Sequence, residues 1–201
     1  MSFKTIITRN QKHIYINGAT GKLGSIIYKN AKTYKPKSNV VIDVSSPTGL
    51  KNLLKYSYIP KIPLVIGTTG DLPMEEIKEY SNCAPVAICP NFSKGNLLLQ
   101  KLCKVIPTKD WDIEMMEIHH KLKKDSPSGT AKQLCSLFGL DYKQVHCLRM
   151  NDILGEHTIY LASKGERIEI KHTVSSRDVF SDGALKVADW IIKQKNGLYY
   201  I

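Results

Sequence analysis

The feature that most restricts the fold of this chain is a strand, a glycine turn and a helix in immediate succession. His13-Ile-Tyr-Ile-Asn17 is a short β-branched and aromatic run, the composition of a buried strand. It stops at Gly18-Ala-Thr-Gly-Lys-Leu-Gly24, and Ser25-Ile-Ile-Tyr-Lys-Asn-Ala continues with apolar residues at helical spacing. Three glycines in this place allow a tight turn, close approach of backbone to a pyrophosphate and close packing of helix on sheet. The helix start then offers free N–H groups to the anion. A glycine trio alone serves any strand-to-helix turn; its position between a strand and a helix favours the phosphate reading.

The alternation continues. Val40-Val-Ile-Asp-Val44 reads as a second strand, followed by Ser45-Ser-Pro-Thr-Gly49 and a helix face of Leu50, Leu53 and Leu54. Pro63-Leu-Val-Ile66 is a third strand, then Gly67-Thr-Thr-Gly70 and a helix opened by Asp71-Leu-Pro73 that runs to Tyr80; Pro85-Val-Ala-Ile-Cys89 is a fourth strand. Strands alternating with helices predict right-handed crossovers and a parallel, doubly wound sheet. Ligands of such sheets bind at the carboxyl ends of the strands, where Gly67-Thr-Thr and Cys89-Pro-Asn-Phe-Ser93 would deliver loops. Both could equally be plain turns.

After Pro90 the texture changes. Gly95 to Val105 reads as a helix, Trp111 to His119, Ile153 to Ala162 and Arg167 to Val174 as longer strands with hairpin-like returns, and Asp182 to Lys195 as a final amphipathic helix. The expected fold is therefore α/β: a shortened Rossmann-like doubly wound sheet over residues 1–90, completed by 181–201. Residues 91–180 would form an α+β unit with an open mixed or antiparallel sheet.

A chain of 201 residues buries about 70% of its unfolded surface, enough for two small cores. A hydrophobic content of 42% with 23% charged residues argues against wholesale disorder. The net charge of +11 admits nucleic acid, membrane surfaces, small anions or a lysine-rich solvated surface. No dense Lys/Arg block with interleaved aromatics and no nucleic-acid module appears, so small anions are the better functional expectation. Five cysteines without a CxxC pair read as reduced thiols of a cytoplasmic protein, and no apolar run approaches the ~18 residues of a membrane span.

The chemistry concentrates in Glu117-Ile-His-His-Lys-Leu-Lys-Lys-Asp-Ser-Pro-Ser-Gly-Thr130. Adjacent His119 and His120 on a strand point to opposite faces and cannot serve one metal, and with no Cys or carboxylate at ligand spacing no metal site is expected. Beside Lys121, Lys123 and Lys124 they put an imidazole and an ammonium within a few residues, suited to protonating a substrate that gains a hydride. They could instead be ordinary structural histidines. Ser126-Pro-Ser-Gly-Thr130 then opens a helix through Phe138, exposing N–H groups and hydroxyls suited to a carboxylate; a plain capping turn is the alternative.

These residues resemble the 4-hydroxy-tetrahydrodipicolinate (dihydrodipicolinate) reductase family of the diaminopimelate route to lysine. The matching pieces include Gly18 to Gly24, Val41-Ile-Asp-Val-Ser-Ser-Pro47, Val65 to Gly70, Pro90 to Gly95, Asp112 to His120, Lys123 to Ala131, Gly155-Glu-His-Thr158 and Ser175-Ser-Arg177. The resemblance implies that His119 is the proton donor and Lys123 a further one. His120, Ser128, Gly129 and Thr130 would hold the carboxylates of a small anionic dicarboxylate. Gly18, Ala19, Thr20, Gly21, Lys22 and Leu23 would cradle the pyrophosphate of NADPH or NADH; Gly67, Thr68, Thr69, Cys89, Pro90, Asn91 and Phe92 would line its nicotinamide end. It also implies a homotetramer built on the second unit's sheet; from composition and motifs, neither a nucleic-acid nor a membrane partner is expected.

The chain departs from the family in one place. Only Ser25 to Asn39 separate the glycine turn from the second strand, where the family has a longer passage with another strand and helix, and no Asp or Glu occurs from Gly18 to Ile42. An acidic residue for the adenosine ribose is thus missing. Lys29, Lys32, Lys35 and Lys37 either meet the extra phosphate of NADPH or form a solvated helix surface. A shortened, catalytically weak or inactive paralogue that binds an anionic metabolite is the competing expectation.

Overall fold

The computed structural model describes residues 3–7, 13–34, 38–55 and 62–201. Two compact units result: Met1–Phe92 with Asp178–Ile201, and Ser93–Arg177.

The first unit is a six-stranded sheet of β1 (Phe3–Ile7), β2 (His13–Asn17), β3 (Val40–Asp43), β4 (Leu64–Ile66), β5 (Pro85–Ile88) and β10 (Gly197–Tyr200), in that spatial order. β2 to β10 run parallel, while β1 is antiparallel to β2. Strands β3, β4 and β5 are buried at every residue, as continuous apolar runs covered on both faces must be. Helix α1 (Lys22–Ala31) and helix α6 (Asp178–Ile191) share one apolar cluster with Ile14, Ile16, Val40 and Ile42, so they cover one face. Helices α2 (Pro47–Lys55) and α3 (Met74–Ser81) cover the other with Val41, Leu64, Ile66 and Val86.

This arrangement corrects one expectation. The connections β2-α1-β3, β3-α2-β4 and β4-α3-β5 all step the same way across the sheet, yet α1 lies on the opposite face from α2 and α3. The first crossover therefore has the opposite hand to the next two. Right-handed crossovers are the near-universal form, which makes the α1 connection the left-handed one. In a doubly wound sheet the glycine helix leads to a strand on the far side of the first; here β1 occupies that edge. The short connection carries the chain from α1 directly to β3.

The second unit is a four-stranded mixed sheet in the order β7 (His146–Arg149), β6 (Asp112–His119), β8 (Gly155–Ser163), β9 (Glu166–Val174). β6 and β7 are parallel, and the other pairs antiparallel. Helix α4 (Lys94–Lys104) and helix α5 (Gly129–Phe138) pack Leu99, Cys103, Leu134 and Cys135 on Ile113, Met115, Ile159 and Leu161. The final helix begins and ends four residues earlier than its periodicity suggests. Sequence pattern also missed β1, β7 and β10. No helix among the described residues is long and apolar enough to cross a membrane.

Candidate active site

In the first unit Gly18 adopts φ +85°, and a Cβ there would lie 2.5 Å from the Val44 carbonyl oxygen; a Cβ on Gly24 would lie 2.0 Å from the Gly18 carbonyl oxygen. Only glycine permits this approach. Gly21 caps α1 without a side-chain bond, leaving the helix start open to an anion. Beside it lies a cavity of about 370 Å³ at the carboxyl ends of β2 and β3, lined by Thr20, Ser45, Ser46, Thr48 and Asn52 together with the glycines. The cradle that side chains would fill and the uncharged hydroxyl lining fit the phosphate end of a dinucleotide.

Beneath the cavity is a polar knot. Asp43 is fully buried and accepts from Asn17 Nδ2 at 2.7 Å, Ser45 Oγ at 2.6 Å and Thr68 Oγ1 at 2.5 Å. Burial pushes its carboxyl up, and these three donors oppose the rise. Thr68 thus spends its hydroxyl inward, donating to Asp43 and accepting from the Ser45 N–H. Ala19, Cys89 and Phe92 are buried as well. Phe92 fills the space a Gly67 side chain would need, 2.4 Å from that Cβ. Burial pushes the Cys89 thiol up to about 11, partly offset by its bond to the Asn91 carbonyl. Of the residues expected near the cofactor, Thr20, Lys22, Thr69 and Pro90 are exposed, while Leu23 and Asn91 are half-buried. Lys29 is exposed, and Lys32 lies over the Tyr28 ring; neither lines the cavity. Lys35 and Lys37 lie outside the described residues.

In the second unit the alternation of β6 puts Ile113, Met115, Glu117 and His119 on the buried face. Register places His157 of β8 opposite Glu117 and Arg149 of β7 opposite His119. Glu117 is fully buried. Its carboxylate accepts the Ser128 N–H at 3.1 Å on both oxygens and Arg149 Nη2 at 3.0 Å, and stands 3.6 Å from His119 Nδ1 and 3.7 Å from His157 Nε2. The two imidazoles meet edge to face at 5.2 Å. A Cβ at Gly155 would be 3.1 Å from His119 Nε2, so the ring packs closely against the backbone of β8.

Ser128 caps α5, its hydroxyl accepting from the Ala131 N–H and lying 3.2 Å from His157 Nε2. Its N–H and its hydroxyl are therefore both used inside the unit. Asp125 binds Lys123 Nζ at 2.8 Å and accepts from the Gly129 N–H. His120 and Thr130, the latter in the first turn of α5, are half-buried.

Burial holds the His119 and His157 imidazoles below their usual value, His157 at about 4; Glu117 opposes the shift in both, while Lys123 adds to it. Burial would raise the Glu117 carboxyl, but the Ser128 and Arg149 hydrogen bonds and the His119 charge outweigh it and keep it low. Glu117, His119 and His157 offer ligand atoms within 4.8 Å of one another. The sequence reading overlooked this carboxylate, which sits two residues before His119 and so on the same face. Arg149 and the Ser128 N–H already occupy it, which leaves the trio suited to proton chemistry. His157 and Arg149 carried no signal short of strand pairing.

Both units point to one class, nicotinamide-dependent reductases in which a Rossmann-like dinucleotide unit works with a unit for an anionic substrate. Comparison with known proteins narrows the class. The family profile "Dihydrodipicolinate reductase, N-terminus" matches residues 13–92 and "Dihydrodipicolinate reductase, C-terminus" matches residues 95–201; the chain belongs to the dihydrodipicolinate reductase family. It is 40% identical to the 4-hydroxy-tetrahydrodipicolinate reductase of Aquifex aeolicus over 82% of this chain and 72% of that protein. It is 33% identical to that of Campylobacter lari over 94% and 97%. A solved structure, the dipicolinate-bound dihydrodipicolinate reductase of Paenisporosarcina sp. TG-14, shares the fold with a TM-score of 0.70 at 18% identity, covering 92% of this chain and 96% of that one.

Proposed function

We infer that this chain is an NAD(P)H-dependent 4-hydroxy-tetrahydrodipicolinate reductase, reducing its substrate to tetrahydrodipicolinate with loss of water in lysine biosynthesis. The observation that carries the reading is the convergence of His119, Glu117 and the Ser128-capped start of α5, in a chain whose two halves both match the family. The reduced nicotinamide, when bound, supplies a hydride. The residues Gly18 to Leu23 hold the pyrophosphate in this reading, with Gly67 to Thr69 and Cys89 to Phe92 at the nicotinamide end. The buried Ala19, Thr68, Cys89 and Phe92 contribute through backbone and shape.

His119 serves as proton donor. Burial keeps it neutral at pH 7 in the free protein, and a neutral imidazole is a poor acid. A dicarboxylate brought to the neighbouring helix start adds negative charge and raises the imidazole pKa, so substrate binding loads the donor with its proton. Lys123 is the second donor. The helix start, with Gly129, Thr130 and His120, holds the carboxylates, and the incoming anion displaces Asp125 from Lys123 and Gly129. Residues 1–90 with 181–201 act as the dinucleotide domain and 91–180 as the substrate and assembly domain. The outer face of the second sheet, with exposed Leu148 and Tyr160, supports assembly as a homotetramer; the protein works in the cytoplasm.

Purified protein given freshly generated substrate should oxidise NADPH or NADH, and His119→Ala should lower turnover by about 10²–10⁴. Full activity in that variant would remove His119 from the mechanism. Calorimetry showing dicarboxylate binding without nicotinamide binding would overturn the reductase reading.

A further inference from the structure

Glu117 is a carboxylate in contact with both halves of the second unit's chemistry. It lies beside the Nδ1 of His119, which is buried and without a hydrogen-bond partner, and it holds the backbone N–H of Ser128, the residue that caps the carboxylate-binding helix start. A buried carboxylate at the Nδ1 edge of an imidazole fixes which nitrogen carries the resting proton and stabilises the imidazolium once formed. A separation of 3.6 Å is longer than a hydrogen bond; such contacts commonly tighten only in the substrate complex.

We propose that Glu117 is the positioning residue of this site. It keeps the resting proton of His119 on Nδ1, leaving Nε2 for the substrate, and it registers the proton donor against the carboxylate cradle through a single side chain. The proposal rests on the reductase reading for its meaning in catalysis, while the dyad itself is a property of the free protein. The charged and titratable groups around His119 are Glu117 on its own strand, Lys123 and Asp125 from the following connection, Arg149 from β7 and His157 from β8, with His172 of β9 acting on His157. Glu117 and Asp125 favour the imidazolium; Lys123 and Arg149 oppose it. Removing Glu117 therefore lowers the His119 pKa and removing Arg149 raises it.

Imidazole nitrogen NMR on the histidine-labelled native protein should find the His119 proton on Nδ1, and added pyridine-2,6-dicarboxylate should move that proton downfield as the contact shortens. In Glu117→Gln the falling limb of the kcat/KM profile should move to lower pH, with kcat reduced on the order of 10². In Arg149→Met the same limb should move to higher pH, a pair of opposite shifts that loss of packing does not produce. Should Glu117→Gln fail to fold, Arg149→Met and the native NMR decide the matter. A resting proton on Nε2, or a limb unmoved in a folded variant, overturns the proposal. Absence of turnover in the native protein would instead count against the reductase reading, and the NMR would still decide the dyad.

Discussion

A Cβ on Gly24 would strike the Gly18 carbonyl oxygen, whereas one on Gly129 would meet nothing within 4 Å. The first glycine is demanded by the fold and the second is not. Gly129 opens α5, where alanine fits the backbone, so Gly129→Ala should be neutral or stabilising by about 0.5–1 kcal/mol in a denaturant titration. If the open space belongs to the substrate, as proposed, the same variant should raise KM several-fold; an unchanged KM would take Gly129 out of the cradle. At this scale the sequence was informative where chemistry is contiguous. His119, Lys123 and the Ser128-Gly-Thr130 turn lie within a dozen residues and could be read together. Thr68 and Cys89 could not be assigned a direction from their loops; the buried Asp43 and the core take their side chains.

Strand β6 shows what an element adds. Its two-residue period sends Glu117 and His119 to the covered face and Glu114, Met116 and Ile118 to the other. A slip of one residue would reverse both sets. Pairing with β8 brings Tyr160 opposite Glu114 and Thr158 opposite Met116 on that outer face, and Leu148 of β7 is opposite Ile118. Met116 and Ile118 are half-buried, and Tyr160 and Leu148 exposed. The proposed tetramer requires this face, so Tyr160→Asp should shift the protein to smaller species in sedimentation velocity; an unchanged tetramer would place the interface elsewhere. Periodicity found β6, β8 and β9 because they are long. It missed β1, β7 and β10, sheet-edge strands of five, four and four residues, which lack the continuous apolar run that marks the equally short buried strands β3, β4 and β5.

Across the whole molecule, buried histidines tie stability to pH. Burial lowers His119, His157 and His172 in the folded chain, while an unfolded chain titrates near the ordinary imidazole value of ~6.5. Between the two values the unfolded state binds more protons, so stability should fall as pH drops from about 6.5 toward 4 and level off below the folded values. Glu117, held low, adds a loss only further down, as pH falls through its folded value. Melting temperature measured across this range should show the decline, and His172→Gln should flatten it; a constant value from pH 7 to 5 would contradict the account. The first unit carries a different whole-molecule result. In it β1 lies at the edge beyond β2, and the α1 crossover has the opposite hand to those of α2 and α3.

The sequence by itself determined the succession of strand, glycine turn and helix, the contiguous histidine-to-threonine segment and the family to which these belong. Each depends on neighbours in the chain, where spacing, glycine and capping residues act over a few positions. Only the tertiary structure decided the edge partner of β2, the hand of the first crossover and the meeting of Glu117 with Arg149 and His157. Those residues lie 32 and 40 positions apart from Glu117 along the chain, and strand order and register, chosen by which faces can be buried together, bring them to one point.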